Sequence, residues 1–352
     1  MLKKIVQIFG SERLTADVLI LREVAKELSG RLSFDFLLPC GAEYRDMLLD
    51  IGSRIIPFDA PGRVDFPQIM SFLRYFKENT PDAVHTHASF SGRVAARLAG
   101  VRICLSTRSY RKGVGPVKKK RLNSLFYNMF TTATFCHSSC LHDSLILEGI
   151  HRDRVFSVCP VSEEKRESPA LPERIEGGDF VIACTLPFFS GFGHITLLRA
   201  FARLPQSFGA RLIFFGEGPI KEECSLLASR LGIGGRVEFS GGVMPTKVYN
   251  TAPSIIVFPQ EESWEIPVDF VFGASPTAAL LASDIPENRE LFCDWGEYFL
   301  PGDEFSLERA IRRLISDGDS YRRALLGAHS AKMPVGALVS EYERIYTALL
   351  SM

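Results

Sequence analysis

Asp82-Ala83-Val84-His85-Thr86-His87-Ala88-Ser89-Phe90-Ser91-Gly92-Arg93-Val94-Ala95-Ala96-Arg97-Leu98-Ala99-Gly100-Val101-Arg102-Ile103-Cys104-Leu105-Ser106 is the stretch on which the fold class turns. Ala83 to Thr86 is a run of strand length. Gly92 to Ala99 is a helix of small residues closed by Gly100, and Val101 to Ser106 is a second strand. Strand, helix and strand joined by short connections build a parallel sheet with helices on its faces.

The same alternation extends outward on both sides. Ile5 to Phe9 is a strand. Val18, Leu19, Leu21, Val24, Ala25 and Leu28 then repeat at helical spacing, closed by Gly30. Phe34 to Leu38 and Arg54 to Phe58 are strands around a helix from Tyr44 to Ile51, and Ile69 to Lys77 is the next helix. Between Val161 and Asp179 the pattern stops. Ser162-Glu163-Glu164-Lys165-Arg166-Glu167-Ser168-Pro169 is charged and proline-broken, which marks a domain boundary. Alternation restarts with a strand from Phe180 to Cys184 and a helix from Ile195 to Leu204. Arg211 to Phe215 is a strand that leads through Gly216-Glu217-Gly218-Pro219 into a helix from Ile220 to Leu231. Val237 to Phe239 and Ile255 to Phe258 are strands, and Gly336 to Leu350 is a helix. The expected fold is α/β: two Rossmann-like domains, residues 1–165 and 178–335, whose parallel sheets face a cleft, followed by a helix at 336–352. Ligands of such sheets bind outside the C-terminal ends of the strands.

Composition narrows the function. The 352 residues suit two cores rather than one. Lys plus Arg and Asp plus Glu are both 41, and this zero net charge argues against nucleic acid as a partner. The 27 phenylalanines against 2 tryptophans read first as core filling and second as lipid contact. The 8 cysteines are scattered, several within apolar runs, which fits free thiols in a reducing cytosol. Cys136-His137-Ser138-Ser139-Cys140 lacks a second ligand cluster at finger-like spacing, so no metal is expected there. The apolar run at the start of the sequence ends by Phe9, too short for a signal segment, and no run approaches ~20 apolar residues.

Specific motifs then add to the pattern. The stretch from Asp82 to Val101 resembles the N-domain of family 4 (group 1) glycosyltransferases. So do Phe215-Gly216-Glu217-Gly218-Pro219, the run from Leu231 to Gly241, Gly193-His194-Ile195-Thr196-Leu197-Leu198-Arg199-Ala200-Phe201, Ile285-Pro286-Glu287 and Leu300-Pro301-Gly302-Asp303. They keep the family's order over nearly the whole chain. The resemblance implies the GT-B plan, with the last helix, which carries Tyr342 and Tyr346, packing back on the N-domain. It implies transfer of a sugar, with retention, from a nucleotide-diphosphate sugar (UDP-linked by expectation) to a lipid-linked or polysaccharide acceptor. No metal or other cofactor takes part. The leaving diphosphate is neutralised by cations and helix N-terminal amides.

The resemblance also assigns residues. Gly10 is the remnant of a first-loop glycine pair. Gly216, Glu217 and Gly218 read as a turn approaching the donor nucleotide, or as a plain strand–helix turn. Glu261 or Glu262 stands at the first family glutamate. The second falls on Phe270 or Asp269 according to register, so Asp269 is the acid available there. Phe192 stands where the family has its lysine, and Thr185 or Pro187 where it has its arginine. Arg108, Lys221 and Arg289 are the candidate replacements for these missing cations. His85 and His87 are expected to alternate on their strand, with His87 in the cleft and His85 in the core. His87 and Arg108 are the candidate catalytic residues. Arg108 stays protonated and suits a phosphate rather than a general-base role. Lys118, Lys119, Lys120 and Arg121, feeding a helix period through Leu122, Leu125, Phe126, Met129 and Phe130, fit an anionic membrane surface. A cytoplasmic protein, peripheral on the inner face of the cell membrane, is the expectation. A glycosyltransferase-like partner protein without catalysis is the rival reading.

Overall fold

The computed structural model describes residues 2–51, 53–59, 65–109, 124–125, 127–158, 180–241, 253–262, 278–292, 296–330 and 335–351. The chain divides into two compact units, Met1–Pro160 with Pro334–Met352, and Val161–Met333.

The first unit runs β1 (Lys3–Phe9), α1 (Ala16–Leu28), β2 (Leu32–Pro39), α2 (Arg45–Leu49), β3 (Arg54–Phe58), α3 (Phe66–Asn79), β4 (Ala83–His87), α4 (Phe90–Leu98), β5 (Ile103–Thr107), β6 (Ala133–Cys136), α5 (Ser139–Leu147) and β7 (Val155–Ser157). Its seven strands are parallel, in the order β3-β2-β1-β4-β5-β6-β7. The chain therefore winds one way from β1 to β3 and the other way from β4 onward. The switch lies between β1 and β4, where such sheets place their ligands.

Local sequence explains the elements. Asp65 caps α3 by accepting from Gln68 N at 3.1 Å, and Pro67 sits in the first turn, where its missing N–H costs nothing. Ile69, Phe72 and Phe76 bury one stripe against Phe58, Val84 and Ala95. Each such burial contributes roughly 1.5–3 kcal/mol. Thr80 ends the helix in the left-handed region, its N–H returning to Phe76 O. β4 is buried along its whole length, as a central parallel strand must be.

The second unit runs β8 (Val181–Cys184), α6 (His194–Ala202), β9 (Arg211–Phe215), α7 (Lys221–Arg230), β10 (Val237–Ser240), β11 (Ile255–Phe258), β12 (Ala279–Ser283), α8 (Pro286–Phe292), β13 (Glu297–Phe299), α9 (Glu304–Ser316) and α10 (Gly318–Ser330). Six parallel strands stand in the order β10-β9-β8-β11-β12-β13, so the switch point lies between β8 and β11. The final helix, α11 (Val335–Leu350), belongs to the first unit and packs on α1. Fifteen phenylalanines are buried among the described residues, Phe36, Phe76, Phe201 and Phe214 completely, which makes core filling their main role.

Candidate functional site

Each unit gathers polar side chains at its switch point. In the first unit, Gly10 follows β1 and its N–H donates to His87 O at the end of β4, 2.8 Å away. A Cβ at Gly10 would lie 2.8 Å from Ala88 O, so only glycine lets the two strand ends come this close. Ala88 itself holds φ +58, a strained backbone for a residue with a Cβ.

His85 and His87 do not alternate. Residues two apart on a strand point to the same face, because successive side chains, not every second one, change sides. The two rings lie 4.4 Å apart on one face. Thr86 takes the opposite face, where its hydroxyl donates to Leu105 O and it accepts from the buried Arg93. His85 has both nitrogens engaged, Nδ1 with Tyr346 OH at 2.8 Å and Nε2 with Thr107 Oγ1 at 2.9 Å. His87 stacks on Phe9, its neighbour across from β1, and its Nε2 lies 3.0 Å from Gln7 Oε1.

Asp17, in the first turn of α1, anchors the other side of this cluster. It accepts from His137 Nε2 at 3.0 Å and from Ser109 Oγ at 2.7 Å, and lies 3.8 Å from His87 Nδ1. The last distance is too long for a hydrogen bond but close enough for strong electrostatic attraction. Burial alone would raise the Asp17 carboxyl. The His137 hydrogen bond and the nearby His87 outweigh that and hold it far below the usual carboxylate range. Burial, reinforced by the nearby His87, pushes His85 well down, and burial lowers His87 against the opposing pull of Asp17. Sequence reasoning missed Asp17, Gln7, Thr107 and His137 as members of this site. The available signal was an acid in the first turn of the helix after the Gly10 loop, together with a histidine closing β6.

In the second unit the loops after β8, β9 and β11 pack on one another through glycines. A Cβ at Gly193 would lie 1.8 Å from Pro259 O, one at Gly216 2.8 Å from Leu186 O, and one at Gly218 2.3 Å from Phe188 O. Gly193 and Gly216 also have positive φ, +70 and +144. Glu217 O accepts from Phe188 N. Glu261 N donates to Gly191 O at 2.8 Å, and Glu261 Oε1 accepts from Thr196 Oγ1 in the first turn of α6 at 2.7 Å. Glu262 is exposed. His194 stacks on Phe188 and its Nε2 donates to Leu186 O at 3.1 Å, which leaves Nδ1 as an acceptor. Burial pushes His194 down to about 4, against the opposing pull of the Leu186 carbonyl. Thr185 Oγ1, His194 Nδ1 and Gln260 Oε1 are all buried without a hydrogen-bond partner among the described residues.

The cations named from the sequence are committed elsewhere. Arg108 Nη2 lies 3.4 Å from Glu148 and its guanidinium stands 5.7 Å from the Tyr127 ring. Lys221 pairs with Glu217 at 2.7 Å. Arg289 grips Asp284 through two bonds, 2.6 and 2.9 Å, and lies over the Tyr298 ring. Phe192 is buried beside Phe189 and His194. A lysine there would start inside an apolar wall rather than at an open clamp. Asp269, and the basic run Lys118, Lys119, Lys120 and Arg121, lie outside the described residues.

Comparison with known proteins adds to this geometry. No family model matches the chain. One curated relative, the exopolysaccharide phosphotransferase SCO2592 of Streptomyces coelicolor, is 28% identical over 160 residues, 44% of this chain. Those residues span 17% of that protein, so its whole activity does not carry over. Among solved structures, Anabaena HepE in complex with UDP and glucose matches with a TM-score of 0.77 at 16% identity, covering 99% of this chain and all of that one. The lipopolysaccharide outer core galactosyltransferase WaaB matches with a TM-score of 0.66 at 16% identity, over 98% and 99% of the two chains. The chain has the GT-B fold. The GT-B plan also carries other chemistry: a putative UDP-N-acetylglucosamine 2-epimerase from Listeria monocytogenes matches with a TM-score of 0.66 at 12% identity, over 100% and 96% of the chains. Likeness at these identities fixes the GT-B fold and leaves the reaction to the site. No helix of the described residues is long and apolar enough to cross a membrane.

Proposed function

We propose that the chain is a glycosyltransferase, similar to family 4, that moves a sugar with retention and without metal from a UDP-linked donor to a lipid-linked or polysaccharide acceptor. The observation that carries this reading is the trio of buried, unpartnered polar atoms on Thr185, His194 and Gln260 at the β8/β11 switch point. Buried polar atoms without partners cost free energy and are retained where a ligand completes them. The likeness to a protein seen with UDP and glucose supports a nucleotide sugar as that ligand. Gly216, Glu217, Gly218, Glu261 and Glu262 belong to the donor side of this reading, as does Asp269. Gly10, His87 and Arg108 are the residues of the first unit that this reading assigns to the reaction.

A second reading, a glycosyltransferase-like partner in polysaccharide assembly without turnover, is favoured by one specific observation. Between Thr185 and Gly193 there is no cation, and Arg108, Lys221 and Arg289 already hold carboxylates. Among the described residues, the Thr185–Gly193 loop offers a diphosphate backbone amides and neutral polar groups. Thermal unfolding with UDP, UDP-sugars and adenine nucleotides separates the readings. A UDP-sugar at about 100 times its Kd should stabilise by about 2.7 kcal/mol. Binding with no sugar transfer to a lipid-linked acceptor moves the choice to the partner reading, and no shift with any uridine nucleotide removes the donor site.

The basic run from Lys118 to Arg121 extends the proposal to an anionic membrane at the cytoplasmic face. Replacing those four residues with glutamine should weaken co-sedimentation with phosphatidylglycerol vesicles, as should added salt. Binding that ignores both would remove the membrane from the proposal.

A further inference from the structure

The hydrogen-bond chain around His87 has a direction, and its far end is the last helix. Gln7 stands between His87 and Tyr346, with Oε1 3.0 Å from His87 Nε2 and its own Nε2 3.1 Å from Tyr346 OH. An amide oxygen only accepts and an amide nitrogen only donates. His87 therefore carries its proton on Nε2. Tyr346 accepts from Gln7 and gives its own hydrogen to His85 Nδ1, and His85 Nε2 donates to Thr107. Every member of this chain is buried. Its outcome is that His87 Nδ1 holds a lone pair, with no hydrogen-bond partner among the described residues. Asp17 Oδ2 lies 3.8 Å from that nitrogen.

Electrostatics alone favours the opposite arrangement. A carboxylate beside Nδ1 attracts a proton to that nitrogen, and Asp17 is a carboxylate over the whole ordinary pH range. Something must hold the proton on Nε2 instead, and Gln7 is the group that accepts it. The amide of Gln7 is in turn kept from turning over by Tyr346, whose hydroxyl takes its N–H and is satisfied on the other side by His85.

We propose that Gln7 and Tyr346 are positioning residues for His87. Through them the last helix, α11, fixes His87 in the Nε2–H tautomer and leaves Nδ1 a buried, unpartnered acceptor that a hydroxyl of the carbohydrate ligand would complete. The ligand class rests on the glycosyltransferase reading; the tautomer does not. This makes α11 a functional part of the first unit as well as a packing element. It also gives the pair of histidines unequal tasks: His85 is the satisfied end of the relay, and His87 is its working end.

The test reads the tautomer directly. Long-range proton–nitrogen correlation spectra of the full chain with 15N-labelled histidine report which ring nitrogen bears the proton. The His87 signals are assigned by their loss in His87→Gln. The wild type should show the Nε2–H pattern. Gln7→Leu removes the acceptor, and Tyr346→Phe frees the amide to turn. In both, His87 should move to the Nδ1–H pattern, which the nearby Asp17 carboxylate favours. In the same variants sugar transfer should fall about tenfold in kcat with KM within about twofold, a share of what a positioned proton-transfer group contributes. A melting temperature near that of the wild type shows that a variant is folded, and if one fails to fold the other decides. An Nδ1–H pattern in the wild type, or an unchanged Nε2–H pattern in a folded variant, overturns the proposal. A wild type that transfers no sugar overturns the enzyme reading and leaves the tautomer result standing.

Discussion

Gly193→Ala should be the most damaging single-atom change in the second unit. The new Cβ would lie 1.8 Å from Pro259 O and 2.7 Å from Pro259 C, both backbone atoms that no rotamer change can move aside. The φ of +70 adds a penalty of about 1–2 kcal/mol for a residue with a side chain. Forced displacement of packed backbone adds about 1–3 kcal/mol or more. Together these give a loss of roughly 2–5 kcal/mol, or about 10 °C in the melting temperature of a unit this size. The displacement also separates the α6 N-terminus from Pro259–Glu262, so uridine nucleotide binding should weaken along with stability. Gly235→Ala is the control, because a Cβ there meets nothing within 4 Å. Calorimetry that finds Gly193→Ala as stable as Gly235→Ala would show that the β8 and β11 loops do not meet as described.

The second large effect is expected at Asp17. Asp17→Ala leaves His137 Nε2 and Ser109 Oγ without their acceptor in a buried place, and removing one member of a buried charged network costs roughly 3–5 kcal/mol. Asp17→Asn keeps an acceptor and should lose about half as much. The pH dependence follows from the direction of the shift. The folded-state carboxyl titrates below its unfolded value of about 3.9, so its contribution is fully present above that pH and is lost as pH falls through and below it. Urea unfolding should therefore show a gap between wild type and Asp17→Ala that is constant from pH 7 to pH 5 and narrows below about pH 4. A gap that widens on acidification would mean that Asp17 is not the depressed acid of the cluster.

Most of the fold can be read in the sequence where the apolar pattern has a period. β3, β9 and β11 have the boundaries expected from their apolar runs, and α3 has a proline, a cap and a 3–4 repeat in plain view. Between Thr131 and Ser157 the sequence offers no such purchase. β6 is Ala-Thr-Phe-Cys, buried at all four positions, and a fully buried strand of four residues has no alternation to detect. α9 is different. Leu307, Ala310, Ile311 and Leu314 repeat at helical spacing behind the Asp303 cap, a legible signal just past the Leu300–Asp303 motif. The site was legible only in part. His87 and Gly10 are marked by strand and turn chemistry, but the sharing of one face by His85 and His87 requires counting by two along the strand. Asp17 and His137 are 120 residues apart and meet only after β1 and β6 have taken their places in the sheet. No local pattern encodes such a meeting. The apparent vacancy at Phe192 is likewise legible as a missing cation, while its burial is a tertiary fact.

Gln7 and Tyr346 are 339 positions apart, and all of Val161–Met333 lies between the two pieces of the first unit. During synthesis the segment bearing β1 to β7 leaves the ribosome long before α11 exists. At about 5–20 residues per second the wait lasts on the order of ten seconds or more. Throughout that interval the face of β1, β4 and β6 that carries Gln7, His85 and Phe135 lacks Tyr342 and Tyr346, the rings that later cover it. The second unit has every one of its strands in hand before that cover arrives. The first unit is thus the one whose covering surface is synthesised last.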